Sequence, residues 1–544
     1  MYSFNDLKKN AKKSLPGNRV IKLAIIADSA SQLLHLAIKG YGVEKNIAFE
    51  IYEADYNQID LQVFDKESGL YSFRPEFIFI NYSTEHVIKE FYAGKFSARD
   101  AFAKRRTDDL NNICTTLLEN LQTKIIINSL GEVNDGVFGN YASKVEGSLI
   151  YQVRKANLLL MDLSRQIKEL FICDINVLQG QLGYAFSFDP KMYVNADMCY
   201  SIDFLPYIAK YITDIIEAIT GNFKKCLVID LDNTMWGGII GDDGMEGIQL
   251  GDLGIGKAYT DLQLWFKELQ GRGIILAVCS KNDESIAKEP FLNHPDMILR
   301  LEDIAVFVAN WENKVDNIYH IRDLLNINMD SIVFLDDNPF EREIVRQSIP
   351  ELTIPSLPED PAEYLTYLRT LNLFETASFS GEDKDRTRQY QEESLRIIVQ
   401  KRFADEASFL ESLEMKSVVS PFNDFILPRV AQLTQRSNQF NLRTIRYTEG
   451  ELKRMINSPD YFTLSFTLED KYGDLGLICV IILKKENEES LFIDTWIMSC
   501  RVLKRGMEKF TLNALKDLAI KEKCNPYAKL PARQISIYDN CRFC

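Results

Sequence analysis

The sequence predicts an α/β multidomain chain in which a doubly wound, parallel-sheet core stands between a first α/β domain and a last α+β domain. Three observations carry this. Apolar runs alternate with amphipathic helical stretches over most of the chain, the pattern of parallel sheets covered on both faces. Past Leu373 that rhythm gives way to adjacent strand-like runs flanked by helices. The 544 residues also exceed what one hydrophobic core holds, at about 100–200 residues per domain. The expected domains are 1–215, 216–375 and 376–544.

In the first domain an apolar run from Lys22 to Asp28 ends in a small-residue turn, and similar runs follow at Phe77 to Ile80, Lys124 to Asn128 and Glu169 to Ile175. A helical stretch around Ile208 to Thr220 leads into a second series, with strands expected at Cys226 to Ile229, Ile274 to Val278, Met297 to Leu299 and Ile332 to Leu335. Gly381 to Glu393 is almost wholly polar and reads as an exposed linker or the start of a solvated helix. Strand-like runs at Tyr461 to Leu468, Leu475 to Leu483 and Leu491 to Ser499 precede a helix from Gly506 onward.

Composition narrows the function classes. The 78 acidic and 63 basic side chains leave a formal charge of -15, which disfavours nucleic acid and anionic membrane surfaces as partners. Cysteines such as Cys226, Cys279 and Cys479 sit in apolar surroundings, as reduced thiols do, and point to a reducing compartment. No apolar run approaches the roughly 20 residues of a membrane span, so a cytoplasmic protein is expected.

The chemistry concentrates after two strands. Asp230 follows the run Cys226 to Ile229, at the strand end where open α/β sheets place ligands. A carboxylate there can attack phosphorus and form an aspartyl-phosphate. Asp232, two residues on, can protonate the leaving group and then activate water. Asp336 and Asp337 follow another apolar strand and can converge on the same edge, so that Asp230, Asp232, Asp336 and Asp337 form a candidate Mg2+ site. Ser280 and Lys314 are candidates to meet the oxygens of a phosphoryl group, with Lys281, Asn282 and Thr234 beside them as substrate-binding candidates. Taken alone, the Asp-x-Asp-x-Thr pentapeptide is also what a turn and helix cap look like.

Strand-Asp-x-Asp-x-Thr, strand-Ser, Lys and strand-Asp-Asp, in that order, resemble the four motifs of the haloacid dehalogenase (HAD) phosphatase superfamily, whose core is Rossmannoid. The resemblance extends to its FkbH-like branch through Asp230-Leu-Asp-Asn-Thr-Met-Trp-Gly-Gly-Ile-Ile-Gly-Asp-Asp-Gly244 and Asp336-Asp-Asn-Pro-Phe-Glu-Arg342. Gln432 to Leu442 and Ser499 to Gly506 look like that family's C-terminal signatures. The resemblance implies an enzyme that takes a three-carbon acyl unit from 1,3-bisphosphoglycerate, removes phosphate and loads the unit onto the thiol of an acyl carrier protein. About 50 residues separate Asp230 from Ser280 and about 20 separate Lys314 from Asp336, so no large cap domain fits. A plain phosphatase acting on a small phosphorylated metabolite or sugar is the alternative. A scaffold with a merely structural core is a third reading, and Asp232 and Lys314 argue against it.

The flanking domains carry weaker likenesses. Leu23 to Ala27 followed by Asp28-Ser29 is similar to the first block of SGNH hydrolases, on an SGNH- or flavodoxin-like fold, and Asn81 stands where that family's oxyanion-hole asparagine would be. No Asp-x-x-His occurs late in the domain, and without a base Ser29 reads more plainly as a small helix-cap residue. The four histidines, His86 among them, look isolated. The last third resembles the GNAT acyltransferase fold, whose Arg-x-x-Gly-x-Gly loop here reads Arg501-Val-Leu-Lys504-Arg505-Gly506. The resemblance makes phosphopantetheine or coenzyme A a candidate ligand of Arg501, Lys504 and Gly506, with Cys500 as an acyl-carrying candidate or simply a core cysteine. Asn525 to Cys544 lacks the apolar strand that would close a GNAT sheet, and Cys541-x-x-Cys544 is a lone pair.

Overall fold

The computed structural model describes residues 2–15, 19–379, 386–400, 403, 405–436, 440–443, 445–487, 490–499, 502–503, 505–523 and 525–527. Contacts divide the chain into two compact units, Met1–Ile216 and Glu217–Cys544. Among the described residues no helix is long and apolar enough to cross a membrane.

The first unit is built on five parallel strands, β1 (Val20–Ala27), β2 (Ala48–Glu53), β3 (Phe77–Asn81), β4 (Lys124–Asn128) and β5 (Leu170–Cys173), in the order β2-β1-β3-β4-β5. The chain steps from β1 to β2 on one side and returns to β3 on the other, so the direction of winding reverses between β1 and β3. At such a reversal the loops part and leave a crevice beyond the strand ends. Asp28 and Asn81 lie there, joined through Asp28 N–H and the Asn81 carbonyl at 3.1 Å. The sequence reading omits β2, whose mixed burial and polar residues Glu50 and Glu53 belong to an edge strand.

The second unit holds a parallel sheet of β6 (Cys226–Ile229), β7 (Ile275–Ser280), β8 (Ile304–Ala309) and β9 (Ile332–Leu335), in the order β8-β7-β6-β9. Its strands are buried on both faces: Leu227, Ile229, Leu276 and Val278 face one core, and Cys226, Val228, Ile275 and Ala277 the other. Winding reverses between β6 and β9, whose registers end at Ile229 opposite Leu335. Residues one step further, Asp230 and Asp336, therefore emerge side by side.

One expected strand is misplaced. Met297 to Leu299 is buried but not a strand; the N–H groups of Ile298 and Leu299 donate to the Gln263 side chain at 3.0 and 3.3 Å, and the strand is Ile304–Ala309. Of Gly381 to Glu393, the described part is the start of a helix, one of the two readings, but a packed helix rather than a solvated one. Arg386–Gln400 is a helix that packs against β7 and β8, and its Tyr390 joins the core on one face of that sheet. Its Thr387 and Gln391 meet Gln270 and the Ile304 carbonyl, both at 3.0 Å. Polar residues pack when their partners are the polar ends of neighbouring elements.

An antiparallel sheet follows, in the order β10-β12-β13-β14-β11, from β10 (Lys416–Ser420), β11 (Phe440–Asn441), β12 (Tyr461–Asp470), β13 (Gly473–Asn487) and β14 (Ser490–Met498). It matches the α+β expectation. β15 (Asn525–Tyr527) pairs parallel to β14 as a short edge strand, a backbone pairing that needs no apolar run. Cys226, Cys279 and Cys479 are buried and form no disulfide.

Candidate active site

Asp230 closes β6, and its backbone N–H donates to the Leu335 carbonyl of β9 at 2.9 Å. Its Oδ2 lies 3.0 Å from Lys314 Nζ, which also lies 2.6 Å from Asp336 Oδ2. Lys314 is the first residue of the helix Lys314–Leu325, aimed by an Asn313 cap whose side chain accepts from Val315 N–H at 2.8 Å. Asp337 is tied by its N–H to Thr234 Oγ at 3.0 Å. Arg342 holds this loop from behind, donating to the carbonyls of Asp336 and Asp337, both at 2.7 Å.

Oxygens of Asp230, Asp336 and Asp337 lie within 4.8 Å of one another, and the buried Asp230 Oδ1 has no hydrogen-bond partner. Burial raises the carboxyls of Asp230 and Asp337 above their ordinary values. Asp336 is pushed up to about 6, by burial and then by Asp230. Burial works against the Lys314 cation, but Asp230 and Asp336 hold its pKa above the ordinary value. Three hard oxygen donors, one of them orphaned, in mutual repulsion fit a Mg2+ ion. Asp230, Asp336 and Asp337 would hold it.

Asp232 is not part of that carboxylate group. Its Oδ1 accepts from Trp236 Nε1 and Ile240 N–H, each at 3.0 Å, and its Oδ2 from Asn282 Nδ2 at 3.2 Å. Burial raises its carboxyl while these donors pull it back. A half-buried acid held in one orientation suits proton transfer better than metal ligation. The loop that delivers these donors turns at Asn233, in the left-handed region at φ 53°, whose side chain accepts from Gly238 N–H at 3.0 Å.

The remaining predicted residues take different places. Ser280 is buried at the end of β7, and Thr234 positions Asp337. Asn282 grips Asp232, and Lys281 pairs with Glu341 at 2.6 Å. Sequence reading gives no role to Trp236 or Arg342, although both stand inside the motifs it quotes. No domain-sized insertion stands between β6 and β7: residues 233–274 hold two helices and a two-residue bridge between Gly237 and Gln249. On the loops after β6 and β8 the large side chains of Ile239 and Trp311 are exposed, as is Phe340 in the first turn of the helix Pro339–Ser348 that follows β9.

In the first unit Ser29 is buried, and Asn81 Oδ1 accepts from Tyr200 OH at 3.2 Å. Ser29 is not a cap, since the helix Gln32–Glu44 starts behind Ser31. Nor is His86 isolated: its Nε2 lies 2.9 Å from Asp197 Oδ1. In the C-terminal region Cys500, Arg501, Lys504, Cys541 and Cys544 lie outside the described residues. Gly506 is left-handed, φ 77°, just before the helix Met507–Lys521.

Comparison with known proteins follows this geometry. The family model of the FkbH N-terminal domain matches residues 22–217. The crystal structure of the N-terminal part of protein BF1531 from Bacteroides fragilis, containing a phosphatase domain and complexed with Mg, is 48% identical; the match covers 70% of this chain and 100% of that one, with a TM-score of 0.68. An acetyltransferase from Trypanosoma brucei is matched at 11% identity over 24% of this chain and 93% of its own, with a TM-score of 0.19. A GNAT family acetyltransferase from Staphylococcus aureus is matched at 16% identity over 22% and 88%, with a TM-score of 0.17. Scores this low carry no argument. No curated protein matches the chain.

Proposed function

We propose, because this chain belongs to the FkbH-like family of HAD phosphatases, that it dephosphorylates an activated three-carbon acid through an aspartyl-phosphate on Asp230 and loads the acyl unit onto a carrier-protein thiol. The observation that carries the phosphoryl half is the pairing of two unlike carboxylates at one sheet edge. Asp230 is unpartnered at Oδ1, and at Oδ2 Lys314 opposes the burial that raises its carboxyl, favouring the charged form a nucleophile needs. Asp232 is raised by burial and fixed by Trp236, Ile240 and Asn282, as a proton carrier must be.

Asp230 forms its bond to phosphorus as the bridging P–O bond breaks, and Asp232 gives its proton to the leaving oxygen. Asp232 then takes a proton from the water that attacks the aspartyl-phosphate, which frees phosphate and restores Asp230. Mg2+, when held by Asp230, Asp336 and Asp337, offsets the charge on the phosphoryl oxygens. In the acyl half, a carrier thiol attacks the carbonyl of an acyl phosphate, a C–S bond replaces C–O, inorganic phosphate leaves with the thiol proton, and the remaining phosphate ester is the group for Asp230. Cys500, Arg501, Lys504 and Gly506 are the candidates to meet a pantetheine arm or coenzyme A.

The test incubates the protein with Mg2+ and 1,3-bisphosphoglycerate, with and without a phosphopantetheinylated carrier, and reads adducts by mass spectrometry. A glyceryl adduct on the carrier supports the full reading, and phosphate release without one leaves a plain phosphatase. Asp230→Asn must abolish removal of the ester phosphate, which is read apart from the phosphate set free by the acyl group; if the ester phosphate is still removed, the phosphoryl assignment is wrong.

A further inference from the structure

The crevice of the first unit holds a second group of converging side chains. His86 on the helix Thr84–Ala93 meets Asp197 and Cys199 from the segment after the helix Pro190–Ala196, and one donor atom of each lies within 4.8 Å of the others. The three supply one nitrogen, one oxygen and one sulfur. Such a mixture suits zinc-class ions and not Mg2+, which prefers oxygen throughout.

The surroundings are arranged as a metal site requires. His86 turns Nε2 to Asp197 Oδ1 at 2.9 Å and its other nitrogen, Nδ1, towards Asp28 Oδ2 at 3.9 Å. Asp28 is itself fixed, both oxygens accepting from Ser83 N–H at 2.9 and 3.0 Å. A carboxylate behind the far nitrogen of a ligating histidine sets its tautomer and strengthens it as a donor. Burial pushes the Cys199 thiol up to about 12, against a downward pull from Ser83 and Ser29, so a metal ion would bind by displacing the thiol proton. Cys199 is buried, whereas the His86 and Asp197 side chains are 21% and 30% exposed and leave a way in. Charges that oppose a cation are few: Arg106 acts on Asp28, and Lys89 reaches Asp197 and Cys199 only from the surface.

We propose that His86, Asp197 and Cys199 bind a zinc-class divalent metal at the crevice between β1 and β3, with Asp28 as the outer carboxylate. Three protein ligands would leave a fourth position for water or substrate. The site is independent of the Asp230 group and of the reaction proposed for it.

The test uses the full chain carrying Cys541→Ser and Cys544→Ser, which removes the terminal thiol pair, and titrates Co2+ in saturating Mg2+. Oxygen-only sites give no thiolate-to-cobalt charge-transfer band, so that band reads this site. The expected result is one equivalent of such cobalt, no band in Cys199→Ser, and affinity lowered about 10-fold or more in His86→Gln and in Asp197→Asn. Should Cys199→Ser fail to fold by circular dichroism, the latter two variants decide. A parent without the band, a band that survives Cys199→Ser, or unchanged affinity in both other variants overturns the proposal.

Discussion

Replacing Lys314 by methionine keeps the length of the side chain and removes its charge from between Asp230 and Asp336. The Lys314 side chain is 4% exposed, and those of Asp230 and Asp336 are 9% and 0%. At an effective dielectric of about 20, contacts of 3.0 and 2.6 Å each represent about 5–6 kcal/mol of gross attraction. Desolvation of the three ions offsets most of that, so the measurable quantity is the imbalance left when one partner goes, about 3–5 kcal/mol. Mg2+ supplies a replacement cation. Saturation at about 100 times Kd stabilises a folded state by about 2.7 kcal/mol. A site stripped of Lys314 binds the ion more tightly than the parent and gains more. The assay is equilibrium denaturation in EDTA and in excess Mg2+. The expected outcome is a variant less stable than the parent by about 3–5 kcal/mol in EDTA, with the gap narrowed by Mg2+ and phosphatase activity lost in both. Equal stability in EDTA, or a Mg2+ gain no larger than the parent's, would refute the reasoning.

Further outcomes follow from the same geometry. Asp336 titrates at about 6 when folded against an ordinary 3.8, so the folded state binds its proton more tightly. The penalty is absent below the ordinary value, grows up to about 6 and is complete above it, so the metal-free parent loses stability relative to Asp336→Asn across that window. A flat difference between the two melting profiles contradicts the assignment. Trp236→Phe and Asn282→Ala each delete one donor to Asp232; each is expected to lower kcat/KM about 10-fold and to move the alkaline limb of its pH profile upward, since these donors hold the carboxyl down. A rate loss without a pH shift points to packing alone. Gly221→Ala places a methyl 2.3 Å from the Gln435 carbonyl at a residue with φ 84°. A loss of about 2 kcal/mol or more is expected in thermal unfolding, and an unchanged melt excludes that close approach.

The acid group is legible in the sequence because local neighbours announce it. A short apolar run followed by Asp says that a carboxylate sits at a strand end, and two such runs on neighbouring strands bring Asp230 and Asp336 together. Asp232 is legible as a residue but not in its role. Its donors, Trp236, Ile240 and Asn282, come from a turn and from the end of β7, and only the fold brings them around one carboxylate. Met297 to Leu299 has the apolar character of a strand, but its backbone partner is the Gln263 side chain, which no periodicity reveals. His86 and Asp197 are 111 residues apart, so a search for a short Asp-x-x-His motif cannot find them.

Ile239, Trp311 and Phe340 stand on the segments after the strands, loops or the first turn of a helix, that also carry the chemistry: Trp311 is three residues from Lys314, and Phe340 three from Asp337. Enzymes that read their substrates on a separate lid can exchange the lid and leave the reacting groups untouched. Here a substitution that retunes the rim shifts the backbone that aims a carboxylate or the lysine. Substrate choice and turnover are therefore linked traits in this architecture, and variants selected for a new substrate are expected to regain speed only through second changes behind these loops, at positions such as Arg342 or Asn313.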